Sequence, residues 1–134
     1  ARRVRRLSPR LSVSWLDPFV DRECCDVVTI GRRSGKERTT ELWFGVVGEE
    51  IAFISGTTPC DWRANMVANP KVTVRFGEVS RSGTARLVVD PDERRRIGDV
   101  MGAKYDWSGD EEIGLTRDVW VYECPVLVVS FDEK

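Results

Sequence analysis

Short apolar runs that alternate with polar residues dominate the chain from residue 26 onward. The runs DVVTI (26–30), TELWFGVV (40–47) and EIAFIS (50–55) follow one another closely, and Gly48 with its acidic neighbours supplies a tight turn between the last two. A period of two is typical of strands with one buried face, and short connections favour antiparallel pairing. The first half of the chain therefore predicts an antiparallel meander.

The second half of the chain continues this pattern. The runs KVTVRF (71–76) and GTARLVVD (83–90) predict two more strands joined by a turn at Gly77, and DVWVYECPVLVVSF (118–131) predicts a long final strand. Pro125 inside the final run has no amide hydrogen to donate to a neighbouring strand. We therefore expect this strand at an edge of the sheet or with a bulge.

The beginning of the chain differs from the rest. Its first ten residues are rich in arginine and lack the apolar stretch of a signal peptide, so residues 1–10 are interpreted as a flexible basic arm. The following segment, LSPRLSVSWLDPFVDRE (7–23), carries apolar residues at nearly helical spacing. It predicts a short amphipathic helix that ends near Asp17, because Pro18 would break a longer one.

Two further helices are predicted between the strands. The segment DWRANMVANP (61–70) has Asp61 as its candidate N-cap, and DPDERRRIGDVMGAKY (90–105) has Asp90 or Asp92. Six or seven antiparallel strands with only short helices indicate a mainly β fold, a small β-barrel with helices at its ends, in which closure hides the sheet edges. One such domain is expected over residues 1–134, because no linker, repeat or low-complexity tract divides the chain.

Charge and hydropathy exclude several classes of function. The chain has 21 Lys and Arg residues against 22 Asp and Glu residues, a formal net charge of -1. This balance argues against a general nucleic-acid binder. No apolar run approaches the roughly 18 residues that a membrane span needs, so we expect no stable membrane insertion. Four cysteines without a disulfide or zinc spacing suit reduced thiols, from which a cytoplasmic location is expected.

Cysteine and histidine usage narrows the possible chemistry. The 4 cysteines include one adjacent pair and have no metal-binding spacing, so we expect reduced thiols and no metal. The chain has no histidine, which removes Ser/His/Asp and Cys/His nucleophile systems and the commonest general base. If the chain is an enzyme, a bound cofactor is expected to carry the chemistry.

A dense group of cations lies in the loop between the first two predicted strands. It consists of Arg32, Arg33, Lys36 and Arg38, interrupted by Gly31, Ser34 and Gly35. Glycines let consecutive amide groups face one point, and arginines offer paired donors to phosphate oxygens. The loop is not a GxxxxGK[ST] phosphate loop, because a strand follows it instead of a helix. It predicts a phosphate site, with a solvated surface loop as the alternative.

Three segments together resemble the deazaflavin-dependent nitroreductase family, a branch of the split β-barrel flavin-binding proteins. They are GRRSGKERTTELW (31–43), FISGTTPCDWRANMVANPKVTV (53–74) and the helix that begins DPDERRR. The similarity runs from about residue 28 to residue 90. The resemblance implies a split β-barrel that binds coenzyme F-420, an 8-hydroxy-5-deazaflavin whose side chain carries a phosphate and a glutamate tail.

The resemblance also implies roles for individual residues. It assigns the cofactor to Arg32, Arg33, Ser34, Lys36, Arg38, Leu42, Ser55, Gly56, Trp62 and Asn65. In this pattern the arginines bind the phosphate, while Leu42, Ser55, Trp62 and Asn65 line the ring and Lys36 or the basic arm meets the tail. Trp43, Ser55 and Tyr105 are the candidates that face the substrate. Core packing is the competing interpretation for Trp62.

The implied chemistry is hydride transfer from the reduced deazaflavin to an electron-poor alkene, enone, quinone or nitro compound. FMN is the alternative cofactor, because the same loop would serve any monophosphate. A further alternative is a non-catalytic protein that binds F-420 or another anion. The expected partner is a small-molecule electron acceptor. Split barrels often pair through their sheets, so a homodimer is a further expectation. Residues 105–119 show little resemblance and are interpreted as a lid, a loop or a dimer contact.

Overall fold

The computed structural model describes residues 14–56 and 60–131. Seven strands in these ranges form one antiparallel sheet: β1 (Cys24–Ile30), β2 (Glu37–Trp43), β3 (Gly45–Val47), β4 (Glu50–Ile54), β5 (Lys71–Phe76), β6 (Val79–Leu87) and β9 (Val126–Phe131). A separate ladder pairs β7 (Gly109–Asp110) with β8 (Leu115–Thr116). The strand order of the large sheet is β2-β1-β5-β6-β9-β4-β3. The predicted mainly β, antiparallel fold of the split-barrel type is confirmed.

The run predicted as one strand over residues 40–47 is divided at Phe44. β2 pairs with β1, whereas β3 pairs with β4 at the opposite edge of the sheet. The sheet therefore curls into a half-barrel whose two edge strands are consecutive in the chain. Phe44 is buried, and the Tyr105 hydroxyl accepts a hydrogen bond from its amide at 3.0 Å. This side-chain contact serves a backbone group that lies between two strands.

Lys104 is a buried cation at the same break. Its Nζ donates to the Phe44 carbonyl at 2.9 Å and lies 3.6 Å from the centroid of the Phe44 ring. Burial lowers the pKa of Lys104 from 10.5 to about 8, although the neighbouring Cys25 and Asp21 act in the opposite direction. The folded state therefore carries a desolvation cost at this contact.

We expect the stabilising contribution of Lys104 to increase as the pH rises. Below about pH 8 the side chain is charged in both the folded and the unfolded state, so the cost of burial is fully present. Between about pH 8 and pH 10.5 the folded protein releases this proton while the unfolded chain keeps it, and the free energy of unfolding rises by up to about 3 kcal/mol.

Urea unfolding of the unmodified protein and a Lys104→Met variant, each at about pH 7.5 and about pH 9.5, measures this effect. Relative to Lys104→Met, the unmodified protein should have a higher free energy of unfolding at about pH 9.5 than at about pH 7.5. Burial raises the pKa of the thiol of Cys25 to about 12 and raises the pKa of Tyr105, but both groups titrate in the two proteins and largely cancel in the difference. A difference that is the same at both pH values would contradict the prediction.

Two apolar clusters fill the fold. The first includes Ile51 and Phe53 of β4, and the second includes Ala52 and Ile54 of the same strand. The alternate residues of β9 divide between the clusters in the same way. β4 and β9 are thus buried on both faces, which explains why their sequences are continuously apolar instead of alternating.

The helices are α1 (Asp61–Ala68), α2 (Pro91–Lys104) and α3 (Arg117–Tyr122). Of the two predicted caps of α2, the structure selects Asp90, whose carboxylate accepts a hydrogen bond from the Glu93 amide at 2.8 Å. The predicted cap of α1 is wrong by one residue. Cys60 is its N-cap, and Asp61 lies in the first turn, where a carboxylate interacts favourably with the helix dipole.

The prediction of one long strand over residues 118–131 is wrong in its first half, which forms α3. The Thr116 hydroxyl accepts from the Val119 amide at 3.2 Å and caps the helix. Trp120 and Val121 are consecutive and both buried, an arrangement that a packed helix allows and an alternating strand does not. The edge expectation for Pro125 is also wrong, because it precedes β9 and β9 lies between β6 and β4.

The basic arm at residues 1–10 and most of the first predicted helix lie outside the described residues. Within them, Asp17–Phe19 is a short 3-10 helix with Pro18 in its first turn. The fixed φ of proline suits such a start, so Pro18 begins a short helical turn. Among the described residues, none of the helices has the length and apolar character needed to span a membrane.

Candidate functional site

The basic loop between β1 and β2 borders a cleft of about 650 Å³. Its wall is made by the end of β1, the loop, β2 and the first turns of α1. Six of the predicted site residues line it: Arg32, Arg33, Ser34, Arg38, Trp62 and Asn65. Residues predicted to bind the phosphate and residues predicted to line the ring, from distant sequence segments, are therefore brought together in one cleft.

Backbone hydrogen bonds close the loop on itself. The Gly31 amide donates to the Lys36 carbonyl at 2.8 Å, and the Gly35 amide donates to the Gly31 carbonyl at 2.9 Å. Gly35 has a φ of 72°, and a Cβ on Gly31 would lie 2.6 Å from Ser34 Oγ. Gly35 is thus required by the turn, and a side chain at Gly31 would displace the Ser34 hydroxyl. Ser34 Oγ accepts from the Lys36 amide at 3.1 Å, which gives this hydroxyl a structural contact within the loop.

Arg32 connects the loop to α1. Its backbone amide and its Nη1 donate to Asn65 Oδ1 at 3.0 and 2.8 Å, and its Nη2 pairs with Asp61 Oδ1 at 3.4 Å. Asn65 is buried, so this bond places a polar side chain that would otherwise be unsatisfied. Arg32 is therefore bound to protein groups on two sides and positions the loop.

Arg33 and Arg38 are exposed cations of the cleft that differ from Arg32 in their contacts. Within the described residues neither guanidinium forms a hydrogen bond or an ion pair with a protein group. The wall also contains the carboxylates of Glu37 and Asp61, and Asp61 is the one that faces Arg32. Two unpaired arginines beside a closed glycine turn fit an anionic group such as a phosphate. Lys36 is exposed, and its side chain does not line the cleft.

Ser55 lies outside the wall of this cleft and is buried. Its hydroxyl lies 3.2 Å from the Pro125 carbonyl and accepts from Arg63 Nη1 at 2.7 Å. Arg63 also donates to the carbonyl of Gly56 at 3.2 Å. Sequence reasoning overlooked Arg63, although its place inside the Trp-x-x-Asn segment of α1 was a signal that it lies near the predicted ring residues.

Leu42 and Trp43 lie on opposite faces of β2, as neighbouring residues of a strand must. Leu42 packs against the first apolar cluster, and Trp43 packs against the second. The Trp43 ring is stacked on Tyr105, with ring centroids 4.2 Å apart and an interplanar angle of 1°. The two side chains therefore lie on different sides of β2, and their roles toward the ring and the substrate stay predictions.

Tyr105 is 1% exposed and does not line the cleft. Its hydroxyl lies 2.6 Å from the carbonyl of Glu23, to which it donates, and accepts from the Phe44 amide. Burial raises the pKa of this phenol. The structure thus uses Tyr105 to join the Phe44 break to the start of β1, and a substrate contact by this hydroxyl would first require these backbone bonds to break.

Residues 105–119 are anchored by Arg117. Its Nη1 donates to the carbonyls of Tyr105 and Trp107 at 3.0 and 2.8 Å, and its Nη2 donates to that of Gly102 at 2.5 Å. The segment also contains the β7–β8 ladder and the first turn of α3. It is therefore packed onto the end of α2 in this structure.

Comparison with known proteins identifies a family and a fold. Residues 21–121 match the family described as F420H(2)-dependent quinone reductase. Similar solved structures include an F420 reductase (19% identity, 91% of this chain and 97% of that chain, TM-score 0.62) and an F420-H2 dependent reductase (21% identity, 81% and 95%, TM-score 0.55). A third is described as a domain-swapped dimer (22% identity, 81% and 81%, TM-score 0.63). Among curated protein sequences, none matches the chain. At these identities the structural likeness shows the fold alone.

Proposed function

The chain belongs to the F420H(2)-dependent quinone reductase family, which makes it an oxidoreductase that uses coenzyme F-420, and we propose that its electron acceptor is a quinone. The family description supports the quinone, and the basic cleft supports the place of the cofactor. This cleft offers Arg33 and Arg38, which have no partner in the part of the chain that the structure describes, beside a closed turn of glycines. Such a site suits the phosphate in the side chain of the cofactor. The match to an F-420 family favours this cofactor over FMN.

Arg33 and Arg38 would bind the phosphate, while Arg32 fixes the loop through Asn65. When bound, reduced F-420 supplies a hydride from carbon 5 of its deazaflavin ring. The chain's part is to orient the ring and to exclude water from it. Trp62 is suited to this task, because it lines the cleft with a half-buried indole that also packs edge-on against Phe53, with ring centroids 6.3 Å apart.

The Ser55–Arg63 pair is proposed to face the acceptor. Reduction of a quinone places negative charge on its oxygen, and a guanidinium is a strong hydrogen-bond donor to such an oxygen. Arg63 is half-buried and uses its Nη1 on Ser55 and Gly56. Its remaining donors have no partner among the described residues. A homodimer is proposed as well, since a similar solved structure is described as a dimer.

Titration of the protein with oxidised F-420, followed by the change in cofactor fluorescence, tests the cofactor. We expect saturable binding at micromolar concentration. Reduced F-420 is then mixed with the protein and either benzoquinone, an enone or a nitroarene, and cofactor reoxidation is followed by absorbance against the same mixture without protein. Faster reoxidation with the quinone is the expected result.

Each contrary outcome contradicts a different part of the proposal. No binding of F-420 would contradict the cofactor, and a flavin spectrum in the purified protein would point to FMN instead. Binding without enzyme-dependent reoxidation by any acceptor would identify a binding protein. Faster turnover of the enone or nitroarene would contradict the quinone.

A further inference from the structure

Thr29 carries a hydroxyl that no group in the described chain satisfies. The residue is 0% exposed, and its Oγ1 is buried without a hydrogen-bond partner. It nevertheless belongs to the wall of the basic cleft. A buried hydroxyl without a partner is costly and therefore uncommon in native structures. One at the wall of a binding cleft indicates a partner that arrives with the ligand.

The register of the sheet places Thr29 relative to the arginines. Thr29 lies directly opposite Arg38 on β2, and Val27 lies opposite Thr40. Opposite residues of an antiparallel pair share a face, as do residues two apart in one strand. Thr29, Arg38 and Thr40 therefore lie on one face of the β1–β2 pair. Thr29 is two residues, roughly 6.6 Å along the strand, before the loop begins at Gly31.

Uncharged hydroxyls lie beside the cations in this wall. Thr29 and Thr40 contribute these hydroxyls, and the amide oxygen of Asn65 is already used by Arg32. Arg38 lies opposite Thr29 and two residues before Thr40, and Arg33 belongs to the loop. The cleft therefore combines cations that suit an anion with neighbouring uncharged hydrogen-bonding groups, which is the pattern that a phosphate ester of a hydroxylated chain would match.

We propose that Thr29 is a ligand-contacting residue whose hydroxyl, together with that of Thr40, bonds the hydroxylated carbon chain next to the phosphate held by Arg33 and Arg38. The proposal deepens the proposed function and rests on it, because it takes the ligand to be a phosphate-bearing cofactor. It adds that the cleft recognises the uncharged carbon chain next to the phosphate as well as the charge of the phosphate. A bare phosphate would leave the hydroxyls of Thr29 and Thr40 unused.

Arg38 is the residue of β2 that lies directly opposite Thr29. Its side chain is exposed, lies on the same face as Thr29 and has no protein partner among the described residues. A phosphate bound by Arg38 would therefore bring the chain attached to it next to Thr29.

The test is a Thr29→Val variant, which keeps the shape of the side chain and removes the hydroxyl. We expect its affinity for oxidised F-420 to fall about three- to tenfold, the effect of losing one neutral hydrogen bond. Its thermal midpoint without ligand should be unchanged or higher, because an unsatisfied buried group has been removed. Thr29→Ser, which keeps the hydroxyl, should retain more of the affinity than Thr29→Val.

Thr73→Val is the matched control, because Thr73 lies on β5 outside the cleft and faces away from Thr29. It should leave the affinity unchanged. Inorganic phosphate is the second probe, and Thr29→Val should bind it as the unmodified protein does. If Thr29→Val loses affinity for phosphate and for F-420 equally, the contact with the carbon chain next to the phosphate is overturned. Unchanged F-420 affinity with a lowered thermal midpoint would also overturn it, because the hydroxyl would then be purely structural.

The failure of the proposed function gives a different result. In that case the unmodified protein does not bind F-420 at all, and FMN, which carries a phosphate on a hydroxylated chain, replaces it as the probe. Weaker FMN binding by Thr29→Val would then support the Thr29 contact without the F-420 assignment. Absence of binding to both cofactors would overturn both proposals.

Discussion

A variant in which Arg33 and Arg38 are both replaced by alanine is expected to bind F-420 at least about 150-fold more weakly than the unmodified protein. Hydrogen bonds to charged groups contribute roughly 1.5 to 3 kcal/mol each, so the loss of two such contacts removes about 3 kcal/mol or more. Because neither guanidinium has a protein partner among the described residues, the free energy of unfolding should change little. Fluorescence titration and urea unfolding measure the two quantities.

An Arg75→Ala, Arg96→Ala double variant is the matched control, since both residues are exposed and outside the cleft. It removes the same net charge and should retain most of the affinity. If both double variants lose affinity equally, general charge explains the binding and the loop is no specific phosphate site. Arg32→Ala should differ from both, because it also releases Asn65 and should lower stability.

Replacing Arg94 by methionine is expected to lower the free energy of unfolding by about 3 kcal/mol, because charged hydrogen bonds to buried carbonyls are lost. The Arg94 Nη1 donates to the Val121 carbonyl at 2.6 Å, and its Nε and Nη2 donate to the Cys124 carbonyl at 3.1 and 2.9 Å. These carbonyls end α3 and have few other donors. Methionine retains most of the apolar stem but satisfies none of them.

Arg95→Met is the control for this prediction. Arg95 is the next residue of α2 and is exposed, so the same substitution there should change stability by less than about 0.5 kcal/mol. Urea unfolding of both variants, monitored by tryptophan fluorescence, gives the comparison. If Arg94→Met unfolds at the same urea concentration as Arg95→Met, the bonds to the end of α3 do not contribute to stability.

The strands were largely predictable because a period of two is a local signal. This signal predicted β1, β4 and β5 at nearly their observed positions. It gave wrong strand boundaries where the structure depends on distant residues. The division at Phe44 follows from the two ends of the curled sheet and from contacts with Lys104 and Tyr105, which are 60 and 61 residues away. The start of the final run became α3 because of packing against α2, which alternation within the run does not encode.

The candidate site divides in the same manner. The loop was predictable, because its glycines and cations are neighbours in the chain. The hydrogen bond between Arg32 and Asn65 joins residues 33 positions apart, and no local sequence pattern predicts it. The same holds for the contact between Arg63 and Ser55. The identity of the cofactor came from a family resemblance and a family match, not from charge spacing. Thr29 was overlooked because a single polar residue in an apolar strand has no pattern.

The central place of β9 has a consequence for how the fold is reached over time. β9 is the last strand in the described chain, yet it lies between β4 and β6, whose residues are synthesised long before it. Until residues 126–131 leave the ribosome, β4 and β6 each have an unpaired edge that is open to other chains. Pairing over such sequence separations is slow, so completion of the sheet is a late event that begins only when the final strand is available.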